Sequence, residues 1–289
     1  MPLDRRDFLK TLGVAGASLT GVSANTLSKT DSDPQEFYAI LHDITLCEGC
    51  QECEFACAAA NNLPEAADDD FPDAEIKREL LPERYSVINA VETSAGEVYT
   101  KQQCMHCAQP ACASACLTKA MNKHIEGPVT WEEDKCMGCR YCMVSCPFDI
   151  PKFEFADNNP KIGKCQMCFE RLQAGEVPAC VENCPAEALI FGKRSEILAE
   201  AHKRIMEDPS GYTDHVYGEF EAGGTSWLNI SPVPFEELGF KTDLETRPYP
   251  ELTKGFLYSV PSIFVLWPAL LMGLREATRK DDKEGDDHE

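Results

Sequence analysis

Apolar positions in this chain come in short bursts, most too brief for a helix and several alternating with polar residues in the two-residue period of a strand. Residues 37–46 read as one such strand, and residues 86–91 and 97–101 as two more with Gly96 in the turn. Residues 120–124 and 128–131 predict a hairpin around Glu126 and Gly127, residues 150–155 a strand-like exit, and residues 188–191 a further strand. Residues 195–206 have the helical period instead. Ile197, Leu198, Ala201 and Ile205 share one face, which predicts a helix packed on its own domain. Residues 208–253, rich in Gly, Pro and aromatic side chains, read as an extended arm that wraps a neighbour or its own core.

One burst is long. Between Gly255 and Leu274 there are 20 residues without a charge, about 30 Å of helix and enough to cross a hydrocarbon core. Pro261 and Pro268 would kink it, which membrane helices tolerate when neighbours satisfy the freed carbonyls. A buried soluble helix is the rival reading. Arg275, Arg279, Lys280 and Lys283 follow the run and a single lysine, Lys254, precedes it. The positive-inside bias then puts the C-terminal tail in the cytoplasm and the rest outside. The N-terminus agrees: Arg5-Arg6 followed by a weakly apolar run to Gly21 and the small residues Val22-Ser23-Ala24 reads as a twin-arginine signal peptide over residues 1–24. A coincidental arginine pair is the alternative. Residues 25–36 read as a flexible leader.

The cysteines change the picture. Cys136, Cys139, Cys142 and Cys146, with Pro147, have the C-x2-C-x2-C-x3-C-P spacing of cluster-binding ferredoxins. Three thiolates at that interval can wrap one corner of an Fe4S4 cube, while the fourth faces away and serves a second cube. Cys47, Cys50, Cys53 and Cys57 repeat the spacing, with Ala58 in place of proline. Cys104, Cys107, Cys112 and Cys116 have four residues in the middle gap and Leu117 for proline; Cys165, Cys168, Cys180 and Cys184 have eleven, including Gly175 and Pro178 in a predicted loop, with Pro185 restored. The chain has 16 cysteines and the four quartets use them all. A disulfide scaffold would spread its cysteines to close long loops. Zinc is the stronger rival, yet it needs only two C-x2-C pairs, without the third cysteine and the fourth beyond it. Strand, cysteine loop, short helix, strand thus occurs four times, as tandem two-cluster ferredoxin-like modules of α+β class.

A net charge of −22 excludes a nucleic-acid partner, whose phosphates would repel it. The charge clusters in residues 65–83, within an acidic, proline-bearing insertion at 58–84, and in the tail 281–289. Solvated surface is the plain reading; a docking face for a basic partner is the other. Lys135, Arg140, Lys161 and Lys164 lie beside cysteines and could raise cluster potentials, or simply be exposed. His106, between two cysteines, invites a ligand role, against which stands a solvent-facing or backbone-bonded histidine. With no nucleophile–base pair and no nucleotide loop, the chain is expected to carry no substrate chemistry.

Four quartets in this order, with those gaps, resemble the four-cluster electron-transfer subunits of membrane-bound oxidoreductases, such as the iron–sulfur subunits of formate dehydrogenase and DMSO reductase. The HybA-type subunits of [NiFe] hydrogenase 2 are most similar, through Lys-Gln-Gln-Cys-Met-His-Cys ending at Cys107, the run from Cys139 to Pro147, that from Phe191 to Arg204, Tyr217-Gly-Glu with Gly223-Gly-Thr, and Pro232-Val-Pro-Phe-Glu-Glu-Leu. The resemblance implies that the first motif pairs with the fourth and the second with the third. One cluster would take Cys47, Cys50, Cys53 and Cys184, and a second Cys57, Cys165, Cys168 and Cys180. A third would take Cys104, Cys107, Cys112 and Cys146, and a fourth Cys116, Cys136, Cys139 and Cys142. It also implies hydrogenase small and large subunits, or a molybdenum catalytic subunit, as partners on the periplasmic face of the inner membrane, together with a polytopic quinone-reactive subunit. The sequence as a whole predicts a brown protein, isolated anaerobically with about sixteen irons, four per cube; a colourless, zinc-loaded product would leave a structural adaptor.

Overall fold

Strand β1 (Tyr38–Asp43) is the middle of a three-stranded sheet. The computed structural model describes residues 36–64, 73, 76–155 and 160–278; the expected signal peptide, nearly all of the leader, most of the acidic stretch 65–75 and the tail from Arg279 lie outside them. Residues Gln35–Thr253 form one compact unit, and the chain from Lys254 belongs to another.

Within the first unit, β8 (Leu189–Lys193) pairs antiparallel with β1, from Tyr38 opposite Lys193 to His42 opposite Leu189. β9 (Trp227–Ile230) pairs parallel on the other side, from Ile40 opposite Trp227 to Asp43 opposite Ile230. The strand entering the first cysteine quartet is therefore hydrogen-bonded to the strand leaving the fourth. Strand periodicity divides the two faces of this sheet. Ala39, Leu41, Leu228 and Ile230 meet the apolar stripe Ile197, Ala201 and Ile205 of the long helix at Arg194–Glu207. Ile40, Leu189 and Trp227 face the other way, into a core shared with Cys53, Cys180, Met105 and Met167. One face is closed by a helix and the other by sulfur-bearing loops.

Three hairpins separate the quartets. β2 (Val87–Thr93) pairs with β3 (Gly96–Gln102), β4 (Met121–Lys123) with β5 (Val129–Trp131), and β6 (Lys152–Phe153) with β7 (Ile162–Gly163). The helices, in chain order, are α1 (Glu52–Ala60), α2 (Ala111–Ser114), α3 (Tyr141–Val144), α4 (Phe169–Gln173), α5 (Ala179–Glu182), α6 (Arg194–Glu207) and α7 (Tyr249–Thr278). The strands and the helix α6 read from periodicity stand where expected, to within a few residues at each end.

Two segments carry more structure than their sequence reading, and the stretch 208–253 packs on its own core, one of the two places that reading allowed. The stretch read as an extended arm contains β9, an integral strand of the central sheet, and it buries Val216, Tyr217, Val233, Phe235 and Leu238 in the domain's own core. Its four residues pair with a strand so distant in sequence that no local pattern could have announced it. The segment 58–84 is not wholly surface either. Residues 58–60 extend α1, and Arg78 and Leu80 are buried. Arg78 makes a two-pronged pair with Glu54 of α1, both contacts at 2.9 Å, and its Nη1 also donates to Ile88 O at 3.1 Å. The Ile88 N–H donates to Glu54 Oε1 at 2.6 Å, so one buried carboxylate ties α1 to β2.

The helix α7 is longer at both ends than the uncharged run, contains Pro261 and Pro268, and is exposed along its length. It is long and apolar enough to cross a membrane.

Removing one partner of a buried, hydrogen-bonded ion pair strands the other charge. Arg78→Met is expected to destabilise the domain by about 3–5 kcal/mol, and Glu54→Leu combined with it to recover part of that loss, the Ile88 N–H losing its acceptor. Chemical denaturation followed by circular dichroism reads both.

Candidate metal centres

The four cysteine loops share a backbone device. In the first C-x2-C pair of each quartet the residue just before the second cysteine has positive φ: Gly49 at 70°, His106 at 47°, Gly138 at 70° and Met167 at 53°. The next turn is launched by another left-handed residue, Gln51 before α1, Arg140 before α3 and Cys168 before α4. A third set follows the last cysteine of three motifs. Lys119, Asp149 and Glu187 are left-handed, and the N–H of each donates to the carbonyl of Cys116, Cys146 or Cys184, three residues back, at 3.3 Å. Successive residues of this kind turn backbone N–H groups inward, into a cradle for an anionic group. One of those N–H groups already points at sulfur, Met167 N–H lying 3.3 Å from Cys165 Sγ, and Met121 N–H at the start of β4 lies 3.4 Å from Cys116 Sγ. Cys57 is the exception. With alanine after it, α1 runs on to Ala60, and Asn61 Nδ2 donates to Cys57 O at 2.8 Å and approaches Cys57 Sγ at 3.6 Å.

Motifs distant in sequence meet in space. Cys47, Cys50 and Cys53 line one cavity together with Cys184. Cys57 lines a second with Cys165, Cys168 and Cys180. Burial pushes the Cys107 thiol well up, and Cys104, Cys146 and Cys112 around it add to the push. The Cys142 thiol is pushed up to about 11 by burial and then by Cys136, Cys116 and Cys139. The remaining two groups therefore join the second and third motifs.

These groups form a row. Cys180 shares a core cluster with Cys53 of the first group, Cys165 packs with Cys104 of the third, and α2, which carries Cys112, touches α3, which carries Cys142 of the fourth. Cys50 in the first group and Cys139 in the fourth are the two exposed cysteines. The ends of the row are where sulfur reaches the surface.

Four thiolates on one zinc ion, each ~2.3 Å from it, stand about 4 Å from one another. Among the described residues no set of three or more His, Cys, Asp or Glu side chains converges on a single ion in that way. Buried thiols such as Cys53 and Cys112, pushed up to about 12 chiefly by desolvation, become thiolates on metal binding and release their protons.

The other candidates fall out differently. His106 is fully buried and backbone-bonded: Val129 N–H donates to its Nδ1 at 2.9 Å. Lys164 is buried too, its ammonium donating to the carbonyls of Val129 and Cys165. Lys135 pairs on the surface with Glu132 at 2.6 Å, Arg140 stacks over Phe153 at 4.7 Å, and Lys161 is exposed. Sequence reasoning missed Lys101 and Lys123. Lys123 donates to Gly127 O and His106 O, and burial lowers its pKa to about 8 although Cys107, Cys104 and Cys112 pull the other way. Lys101, buried on β3, lines both of the first two cavities. Strand alternation marks a lysine as facing in or out, but not what it faces.

Loops of this shape, with each motif's last cysteine lodged beside another motif's first three, define a ferredoxin-type iron–sulfur protein. Residues 96–194 match the family model of the 4Fe-4S dicluster domain. A protein of Nitratidesulfovibrio vulgaris is 44% identical over 97% of this chain and 78% of its own length. The Hydrogenase-2 operon protein HybA of Escherichia coli O157:H7 is 35% identical over 99% of this chain and all of its own. The Formate dehydrogenase-O iron–sulfur subunit of Escherichia coli is 32% identical over 68% of each. The chain belongs to the HybA-like family of iron–sulfur ferredoxin subunits, and its cofactors are [4Fe-4S] clusters.

Two loop glycines make a controlled comparison. A Cβ on Gly49 would lie 2.5 Å from the Tyr99 ring, whereas one on Gly138 meets nothing within 4 Å, at the same φ of +70°. Gly138→Ala is expected to cost about 1–2 kcal/mol, the left-handed penalty alone, and to keep its iron. Gly49→Ala is expected to cost more and to lose iron faster, as iron assay and thermal unfolding would show.

Proposed function

We propose that this chain is a non-catalytic wire that relays single electrons through four [4Fe-4S] clusters, between a periplasmic [NiFe] hydrogenase catalytic module and a quinone-reactive integral membrane subunit. The ligand sets are Cys47, Cys50, Cys53 and Cys184; Cys57, Cys165, Cys168 and Cys180; Cys104, Cys107, Cys112 and Cys146; and Cys116, Cys136, Cys139 and Cys142. The observation that carries the reading is the row itself: four adjoining cysteine groups with an exposed cysteine at each end. A carrier needs one terminus open to a donor and the other to an acceptor. The clusters supply one-electron chemistry; the chain positions them, excludes water and sets their surroundings.

The helix α7 anchors the wire in the inner membrane, with the tail cytoplasmic and the cluster domain periplasmic. The paired arginines fit that topology, because a protein that receives its iron in the reducing cytosol must cross the membrane already folded. Full-length similarity to HybA favours hydrogenase; the shorter similarity to a formate dehydrogenase subunit keeps a molybdenum enzyme as the second reading.

The deciding experiment is purification of the complex by a tag on this chain. Nickel with hydrogenase subunits is the expected result, and molybdenum in its place would move the wire to a different enzyme. Cys146→Ser is expected to alter the EPR signal of the cube held by Cys104, Cys107 and Cys112. A change confined to the cube of Cys136, Cys139 and Cys142 would overturn the crossed assignment.

A further inference from the structure

Lys101 is a buried cation without a protein counter-ion. It is 2% exposed, and its ammonium lies 5.7 Å from the centre of the Trp227 ring. Among the described residues no carbonyl or carboxylate accepts a hydrogen bond from it, unlike Lys123 and Lys164, whose ammonium groups donate to backbone carbonyls. The nearby buried carboxylate, Glu54, is taken up by Arg78 and the Ile88 N–H. An unpaired charge in such a place is costly unless an anion faces it. Two cavities do. One is lined by Cys47, Cys53 and Cys184, the other by Cys57, Cys165 and Cys180, and Lys101 is the one residue that lines both.

We propose that Lys101 is a shared counter-charge for the first two clusters of the row, a positioning residue that raises the reduction potential of both together. The inference rests on the ligand sets proposed above and deepens them. Each reduction adds one electron, drawn from the hydrogen-oxidising partner or from dithionite in a titration, and takes up no proton. A fixed positive charge between the two sites favours that added negative charge in both. It also screens one site from the other, so that neighbouring clusters can be reduced in turn. Burial by itself would lower the Lys101 pKa; Cys53, Cys180, Cys57 and Cys165 more than reverse this and push it above the usual lysine range.

The test is an EPR-monitored redox titration of the complete, anaerobically purified complex carrying wild type, Lys101→Met or Lys101→Arg. Cys184→Ser and Cys57→Ser identify the signals of the two clusters concerned. In Lys101→Met both are expected to become at least tenfold harder to reduce, a fall of about 59 mV or more for a one-electron couple. The other two clusters should stay in place, and Lys101→Arg should restore the pair. Unchanged midpoints with full iron content overturn the inference, as does a shift confined to one cluster or common to all four. Should Lys101→Met lose iron, Lys101→Gln carries the same expectation, and iron loss from both variants means that Lys101 serves assembly and not potential. Iron in the wild type reports separately on the underlying reading: far fewer than about sixteen irons, four per cube, removes the four clusters and this inference with them.

Discussion

The structure depends on one crossing. The last cysteine of each motif lies with the first three of another, the first motif exchanging with the fourth and the second with the third. That exchange forces residues far apart in sequence into one small volume. The pairing of β1 with β8 closes the outer exchange, and β4 and β5 lie between the two motifs of the inner one. Links between distant residues remove much of the unfolded chain's freedom, more so for long loops. Such thiolates gather around metal only in the folded chain, so cluster binding contributes directly to folding. The apolar cores can accordingly be modest; cysteines are members of two of them and pack against a third.

At close range the backbone does the shaping. Left-handed residues recur at equivalent points of all four loops, and several are large: His106, Met167, Gln51, Arg140. Each such conformation costs about 1–2 kcal/mol for a side chain of L configuration. Strain of that kind persists where the surroundings dictate it, and here it turns N–H groups toward sulfur. Leu117 in place of proline leaves the turn after Cys116 the same as those after Cys146 and Cys184. Ala58 in place of proline does not, because α1 simply continues, and Asn61 takes over near Cys57.

Charge is sorted by depth. The chain carries −22 overall, yet beside the sulfur groups the buried charges other than the Glu54–Arg78 pair are lysines: Lys101, Lys164 and the largely buried Lys123. Clusters bearing four thiolates each would make such an interior strongly negative, and cations there ease both their burial and their reduction. Two of the three lysines also bond backbone carbonyls and so hold loops together. Acidic side chains away from these sites are mostly exposed, Asp43 with its Arg204 being the chief exception.

The fourfold cysteine spacing, the hairpins between quartets, the face of α6 and the apolar run of α7 were all legible from sequence. Each is a local property, fixed by a period or a spacing within a dozen or so residues. Which cysteines lie together was not legible from spacing: a motif says that its fourth cysteine turns away, not toward which partner, and the pairing came only with the family resemblance. The strand β9, the clamp of Arg78 on Glu54 and the place of Lys101 between two cavities escaped entirely. All three are contacts across long separations, and the residue types involved, a short apolar run and ordinary charged side chains, look the same in a surface loop. Sequence by itself determined the chemistry of this protein, because ligand type and interval are written along the chain. Tertiary structure alone decided the order of the sulfur groups and the charge between them, because those are set by which distant segments the folded chain brings into contact.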